Sequence, residues 1–472
     1  MMRVIIAGGG HTGYQLAQQL ASQRDVVVIE EDPELISRLD RLDVQIIRGS
    51  ATHPETLHHA QLTEEDKFIA CSESDERNII ACLAAKRTGG PETFCFVSKE
   101  EYYQAFKGSE LGIGESGNGD LEVKRAPRSR RHEAGMGSLG IDRLIWPQYM
   151  LAEEIARIVL VPQAIDVEVF AGGRIWLLEY RLHKDSPLLG KPLAELGLPR
   201  GVLAVAVMRR DRLYVPSGRT ELRAEDKVVF MGTQHALRKL ERRFFRQSRR
   251  QVREVTIIGG GTVGLTLAKR LEQEEDLRLK IIERSAERCE TLAAELKSAL
   301  VLHGDGTDLE LLEAEQIFRS DVLVSVTSDD EKNLLSSLLA RQMKIPKVIT
   351  RVNKPANIRL FEEMGIDVPL NPRVTAIRTV ITLLQEPNIQ LLATIEQGKG
   401  DVLELVLPDD FPATKIKHLP RSHDAIIAAV QSGNRTIVPH GEDTIQPGDK
   451  LFIFCTQEAS QAVRKFFLRS ET

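Results

Sequence analysis

A glycine triplet set twice between an apolar strand and a helix, a switch to period-two alternation after each, and a near-constant offset between the halves predict an α/β fold: two tandem Rossmann-type parallel-sheet domains, each followed by a small α+β domain. The first triplet closes Val4-Ile5-Ile6-Ala7 and reads Gly8-Gly9-Gly10-His11-Thr12-Gly13. The second closes Val255-Thr256-Ile257-Ile258 and reads Gly259-Gly260-Gly261-Thr262-Val263-Gly264. In such a turn the first glycine makes the bend, the second lets backbone approach a pyrophosphate, and the third lets the helix pack on its strand. The N–H groups of the following helix then face phosphate. One turn of this kind is weak evidence, since glycine-rich turns recur in any α/β protein. Two in matching contexts are far stronger.

At 472 residues the chain exceeds one ordinary hydrophobic core and suggests about three or four domains. A net charge of −5 gives no global reason to expect nucleic acid, so an electrostatic partner has to be argued from local clusters. The five cysteines, Cys71, Cys82, Cys95, Cys289 and Cys455, form no Cys-x-x-Cys pair and fit reduced cytoplasmic thiols. The N-terminus enters strand and glycine loop at once, and no apolar run approaches the ~20 residues of a spanning helix. These features predict a soluble, cytoplasmic protein.

Taken in order, the first half follows its glycine loop with a helix and then the buried-strand pattern Val26-Val27-Val28-Ile29, which ends at Glu30. An acid there suits hydrogen bonding to an adenosine ribose diol and would repel a 2′-phosphate, favouring NAD over NADP. Two further strand patterns lead into the loops Gly49-Ser50-Ala51-Thr52 and Ser72-Glu73-Ser74-Asp75, placed where an open parallel sheet binds ligands. Asp75 reads either as a ligand residue or as the N-cap of the next helix. Residues 107–139 lose the pattern and hold the basic run Lys124-Arg125-Ala126-Pro127-Arg128-Ser129-Arg130-Arg131-His132, a long loop that is either a solvated insertion or a contact for an acidic surface. An amphipathic helix from Tyr149 to Leu160 then reads as a connector, and from Ile165 to Gly232 the period becomes two, with a hairpin at Ala171-Gly172-Gly173-Arg174.

The second half repeats the first. Gly8 and Gly259 are offset by 251, Glu30 and Glu283 by 253, and Asp75-Glu76-x-Asn78 and Asp330-Glu331-x-Asn333 by 255. Ile141-Asp142 and Pro147 meet Ile366-Asp367 and Pro372 at 225, so the first half carries 30 extra residues, which fall in the patternless loop. Val215-Pro216-x-Gly218 with Asp226-Lys227 meets Val438-Pro439-x-Gly441 with Asp449-Lys450 at 223. The chain is a tandem duplication. Between the copies, Leu237 to Arg253 is a basic stretch with embedded Phe244 and Phe245, either a surface for phosphate or a solvated helix whose arginine stems cover a core.

The paired glycine loops, the Gly304-Asp305 and Thr327-x-Asp329-Asp330-Glu331-x-Asn333 stretches and the Val-Pro-x-Gly…Asp-Lys signature of each small domain resemble the TrkA family, the tandem RCK (regulator of potassium conductance, or KTN) proteins of Trk potassium uptake. The resemblance covers almost the whole chain. It implies an RCK N-terminal domain at 1–140, a connector helix and RCK C-terminal domain at 141–250, and their repeats at 251–370 and 371–472. It further implies a cytoplasmic assembly, typically a tetrameric ring, peripheral at the inner face of the membrane, that binds NAD(H) or adenine nucleotides such as ATP and ADP. That assembly would gate a membrane potassium-translocating subunit of the TrkH or TrkG type.

Carried onto this chain, the first site would use Gly8, Gly9, Gly10, His11, Thr12 and Gly13 for phosphates, Glu30 for ribose, and Ser72 and Glu73 near the adenine. The second would use Gly259, Gly260, Gly261, Thr262, Val263 and Gly264, with Glu283, Asp305, Thr327, Ser328 and Arg351. The family's arginine after the following strand is Arg351 in the second half, but Phe96 in the first, which lacks the charge. The 30-residue insertion also departs from the family pattern.

Two rival readings remain. An NAD-dependent oxidoreductase would need an acid or base beside the nicotinamide, most often histidine. No histidine recurs between the halves: His11 faces Thr262, and His53 faces Asp308. No Ser/His/Asp, Cys/His or metal-spaced cluster appears, so the regulatory reading is preferred. A nucleic-acid binder rests only on the linker and insertion arginines, and none is expected.

Overall fold

The computed structural model describes residues 3–21, 24–107, 114–115, 121–122, 141–161, 164–245, 252–274, 277–384, 389–395, 398–420, 424–433 and 435–468. The basic run of the insertion, and the linker beyond Phe245 as far as Gln251, lie outside them. The chain divides into two compact units, one of residues 1–151 and 371–384, the other of residues 152–370 and 385–472.

The first unit is built on six parallel strands, β1 (Arg3–Ala7), β2 (Asp25–Glu30), β3 (Gln45–Arg48), β4 (Lys67–Ala70), β5 (Glu92–Phe96) and β6 (Arg143–Ile145), in the order β3-β2-β1-β4-β5-β6. The central strands are unbroken apolar runs because both faces are covered; Val4, Ile5 and Ile6 have no exposed surface. Alternate residues face opposite ways. Phe68 and Ala70 join Leu57, Ala81 and Cys82, on the side of α3 (Pro54–His59) and α4 (Asp75–Thr88). Ile69 and Cys71 join Leu16, Ala17 and Leu20 of α1 (His11–Leu20). The rest of that second face is sealed by Ala376, Ile377, Val380 and Leu384, from the C-terminal half of the chain.

Ala376, Ile377 and Val380 belong to α13 (Pro372–Leu383), which Leu384 follows and which sequence order attaches to the second small domain. Asn371 caps it, accepting from the amides of Arg373 at 2.9 Å and Val374 at 3.0 Å. The resemblance implied a connector helix here but not its location, because an apolar stripe states what a helix must bury and not against which sheet.

The second unit repeats the doubly wound sheet with β12 (Glu254–Ile258), β13 (Arg278–Glu283), β14 (Leu300–His303), β15 (Val322–Ser325), β16 (Lys347–Arg351) and β17 (Val368–Leu370), in the order β14-β13-β12-β15-β16-β17. Helix α6 (Pro147–Leu160) enters this unit from Ala152 onward. The buried Nζ of Lys347 donates to the carbonyls of Ile158 at 2.7 Å, Val161 at 3.0 Å and Ala164 at 2.6 Å, closing the C-terminal end of α6. Burial pushes Lys347 down to about 7, against the opposing charges of Asp367 and Glu241.

Both small domains lie in this unit. The first is a five-stranded antiparallel sheet of β7 (Asp166–Phe170), β8 (Ile175–Arg181), β9 (Val202–Arg209), β10 (Arg212–Tyr214) and β11 (Lys227–Thr233), in the order β10-β9-β11-β8-β7. Its predicted hairpin pairs Phe170 with Ile175 across three positive-φ residues, Ala171, Gly172 and Gly173. The second, β18 (Ile389–Ile395), β19 (Gly400–Val406), β20 (Ala425–Ser432), β21 (Arg435–Ile437) and β22 (Lys450–Thr456), has the order β18-β19-β22-β20-β21. The repeated Asp-Lys signature is a turn device. Buried Asp226 and Asp449 each accept an amide three residues back, from Arg223 and Gln446, at 2.8 Å. The two sheets share one core, in which Leu177, Val205 and Val229 meet Val402, Phe452 and Phe454.

Of the basic stretch between the copies, α7 (Gln234–Phe244) is described. Its Ala236, Leu237, Leu240 and Phe244 are buried in the first small domain, Phe245 stacks on Tyr180 with ring centroids 4.2 Å apart, and Arg238, Lys239, Arg242 and Arg243 are exposed. The helix is thus the solvated cover of a core.

Candidate nucleotide sites

Each glycine of the two loops meets a different physical demand. Gly8 and Gly259 adopt φ of +110° and +102°, which side chains rarely reach. A Cβ on Gly13 would stand 1.8 Å from the carbonyl oxygen of Gly8, and one on Gly264 2.0 Å from that of Gly259, so helix and strand touch there through glycine alone. Gly10 and Gly261 differ: a Cβ on either would meet no atom of the described residues within 4 Å. Nothing in the fold requires glycine at these two positions, whereas a phosphate lying against the backbone does. Thr12 and Thr262 lie in the first turns of α1 and α8 (Thr262–Leu271). Val263 is 1 % exposed, so its side chain is core and only its backbone is available to a ligand.

The acids at the ends of the second strands face these loops. Glu30 accepts from the Gly9 amide at 2.5 Å through one carboxylate oxygen, and from the amides of Glu31 at 2.7 Å and Asp32 at 2.9 Å through the other. Glu283 accepts from the Gly260 amide at 2.7 Å and the Ser285 amide at 2.8 Å. Both carboxylates are thus fixed beside the glycine loops, and Glu30 lines a cleft of the first domain. Their surroundings differ, however. Glu31 pairs with Arg77 in the first domain, while Arg284 occupies the matching position in the second.

In the second domain Asp305 accepts from the amide of Thr307 at 3.0 Å and its hydroxyl at 2.7 Å, and pairs with Lys332 at 3.0 Å. Those hydrogen bonds, the Thr307 hydroxyl foremost, hold its carboxyl down to about 2. The counterpart of Asp305 is Ser50. It lines a cleft of the first domain with Gly8, Glu30, Thr52, Ser72 and Arg77.

The Asp-Glu-x-Asn repeat is a strand-end latch. Asn78 accepts from the Ser72 amide at 2.8 Å and donates to the carbonyls of Ser72 and Phe96, both at 3.0 Å. Asn333 does the same with Thr327 at 2.9 and 3.0 Å and with the carbonyl of Arg351 at 3.0 Å. Ser72 and Thr327 are thereby set by backbone at the rim, whereas Glu73 and Ser328 are exposed. The N-cap reading of Asp75 is corrected. Ser74 caps α4, accepting from the Arg77 amide at 3.2 Å, and Asp75 instead accepts from the amides of Ser98 and Lys99, at 2.9 Å each. An acid inside the first turn, within reach of a neighbouring loop's free N–H groups, satisfies those rather than its own helix.

Phe96 and Arg351, matched by the latch, have different surroundings. Phe96 is 8 % exposed and packs in the cluster that holds Ala376 and Ile377 of α13. His11, the first residue of α1, has a buried Nε2 without a hydrogen-bond partner among the described residues. Its pKa is lowered by burial first and then by the positive charges of Arg373 and Arg38. Sequence reasoning gave no role to these two arginines. Their counterparts in the other half are Gln148 and Thr291, so no repeated motif marks them.

Residues 4–115 and 255–372 match the TrkA-N domain family, and residues 177–244 and 403–468 the TrkA-C domain family. The chain is 36% identical over 466 residues to a Trk system potassium uptake protein TrkA homolog of Archaeoglobus fulgidus, spanning 99% of this chain and 100% of that one. It is 30% identical to the Trk system potassium uptake protein TrkA of Halomonas elongata, over 96% of this chain and 95% of that one. Among solved structures it is similar to the GsuK RCK domain, with a TM-score of 0.57, 17% identity, and coverage of 99% of this chain and 95% of that one. It is also similar to the GsuK channel bound to NAD, with a TM-score of 0.57, 18% identity, and coverage of 98% and 78%.

Proposed function

Because the chain belongs to the TrkA family, we propose that it is a regulatory, nucleotide-binding subunit of a potassium uptake system, with no catalytic role of its own. The observation that carries the nucleotide part is the pair of glycines, Gly10 and Gly261, whose missing side chains leave space that no atom of the described residues uses. Glu30 and Glu283 would hold the ribose of an NAD(H) or adenine nucleotide, with the glycine-loop amides on its phosphates. ATP and ADP fit the same adenosine and phosphate contacts. The partner we infer is a membrane potassium-translocating subunit of the TrkH or TrkG type. The assembly is a homo-oligomer, by family analogy a tetrameric ring, at the inner face of the membrane. No helix among the described residues is long and apolar enough to cross a membrane, so membrane association would run through that partner.

Regulation of this kind requires that nucleotide bind the active and inactive arrangements with different affinity, since equal affinity shifts nothing. Reciprocally, the membrane subunit must change nucleotide affinity by the same factor. Potassium flux in vesicles holding both subunits, with titrated NADH, NAD, ADP and ATP, tests the reading alongside affinities measured with and without the membrane subunit. Flux indifferent to every nucleotide would remove it. The rival oxidoreductase reading predicts turnover of NADH with a small substrate, and neither His11, opposite Thr262, nor His53, opposite Asp308, supplies a repeated acid or base for that.

A further inference from the structure

We propose that Arg373 supplies the first nucleotide site with the phosphate-pairing cation that Phe96 withholds, so that this site is assembled from both halves of the chain. The inference rests on the nucleotide reading above and assigns the residue that completes one of its sites.

The two halves distribute charge reciprocally. At one pair of equivalent positions the first half has Phe96 and the second Arg351; at another the first has Gln148 and the second Arg373. By chain order Arg373 would serve the second half, yet α13 is part of the first unit. Within that unit Ala376, Ile377 and Val380 share a core cluster with Phe96 and with Leu16 and Ala17 of α1. Phe96 therefore does apolar work, seating a helix from the other half, and an arginine in its place would put a charge into that cluster.

Arg373 stands three residues before Ala376 and four before Ile377, which places it on the same side of α13, one turn nearer the helix N-terminus. Its charge and that of Arg38 both act on His11, the residue that follows Gly10. At the start of α1 lie an imidazole nitrogen buried without a partner among the described residues and the open side of Gly10, within the field of two guanidinium charges. The nearby carboxylate of Glu30 is already held by the amides of Gly9, Glu31 and Asp32. With Glu30 turned to the amides and the ribose, the two guanidinium charges and the N–H groups of the first turn of α1 are the partners a nucleotide diphosphate takes. Arginine matches phosphate oxygens in a bidentate way that a glutamine does not.

Calorimetric titration of the full chain with NADH and with ADP, in an Arg351→Gln background that weakens the second site, tests the assignment. Adding Arg373→Met, which keeps the apolar stem, should weaken the remaining binding by roughly tenfold to over a hundredfold, the range of a charge-assisted bond to phosphate. Arg373→Lys should retain part of it. Unchanged affinity and stoichiometry in Arg373→Met would overturn the role of Arg373 while leaving the nucleotide reading intact. Absence of binding by the unmodified chain would overturn the reading itself. If Arg373→Met lowers the melting temperature, binding by Arg373→Lys decides: affinity as weak as in the methionine variant, with normal melting, also removes the assignment.

Discussion

The side-chain amide of Asn333 donates to the backbone carbonyl of Arg351 at 3.0 Å, tying the end of β16 to the loop that follows β15. Asn78 ties Phe96 in the same way and at the same distance. Both asparagines are at most 2 % exposed; the bond to Phe96 is buried and the bond to Arg351 part-buried. Asn333→Ala would strand the Thr327 amide and two carbonyls. With ~1 to 3 kcal/mol for each of these three groups the sum is about 3 to 9 kcal/mol, an upper range because all three bonds are part-buried. Thermal melts of Asn333→Ala and Asn78→Ala should each show a transition lowered by several degrees; unchanged midpoints would mean the latch is ornamental.

The glycine loops allow folding and binding to be separated. Gly13→Ala and Gly264→Ala place a Cβ within 2.0 Å of a carbonyl oxygen and should destabilise their domains. Gly10→Ala meets no atom of the described residues within 4 Å, and Gly10 has a negative φ of −58°, outside the left-handed region that favours glycine. It should melt as the parent does and lose nucleotide affinity at the first site. A Gly10→Ala variant that binds normally would show that no phosphate approaches there.

NAD(H) is expected to bind better than NADP(H), because Glu30 and Glu283 would face the extra phosphate. Glu283→Gln removes the charge but keeps the shape, and should narrow the difference at the second site by about tenfold, the effect of ~1.4 kcal/mol. Calorimetry that finds equal binding of the two dinucleotides to the parent chain would dismiss the ribose role.

Lys347 gives a pH test. Its folded-state value of about 7 lies below the ordinary 10.5, so between these values the unfolded chain holds a proton that the folded chain has released. Stability from this group therefore rises as pH goes from 7 toward 10.5. The melting midpoint of the parent minus that of Lys347→Met should grow over that window. A flat difference would mean that the three carbonyls of Ile158, Val161 and Ala164 keep the ammonium charged throughout.

The sheets were legible in the sequence because their signals are local: glycine loops, apolar runs such as Val26 to Ile29, and acids at strand ends. The duplication was legible because offsets compare like with like, and this also exposed Phe96 against Arg351. Where α13 packs was not legible. Its contacts with Leu16 and Ala17 join positions far apart in the chain, and apolar residues carry no mark of their partner. Lys347 was missed for a related reason. A lysine at a strand start reads as exposed, and only the arrival of the carbonyls closing α6 makes it a buried donor. Asp75 was misread since an acid beside Ser74 satisfies the cap pattern as well as Ser74 does.

The shared core of the two small-domain sheets has a consequence for how this chain can vary. Two separate chains meeting through Leu177, Val205, Phe452 and Phe454 would depend on concentration for that contact and would be bound to twofold symmetry. Joined in one polypeptide, the contact forms at a fixed and high effective concentration, whatever the abundance of the protein. Each face is then encoded separately, so a substitution on one side is not mirrored on the other. Divergence such as Phe96 against Arg351 is open to this molecule and closed to a symmetric dimer of identical chains.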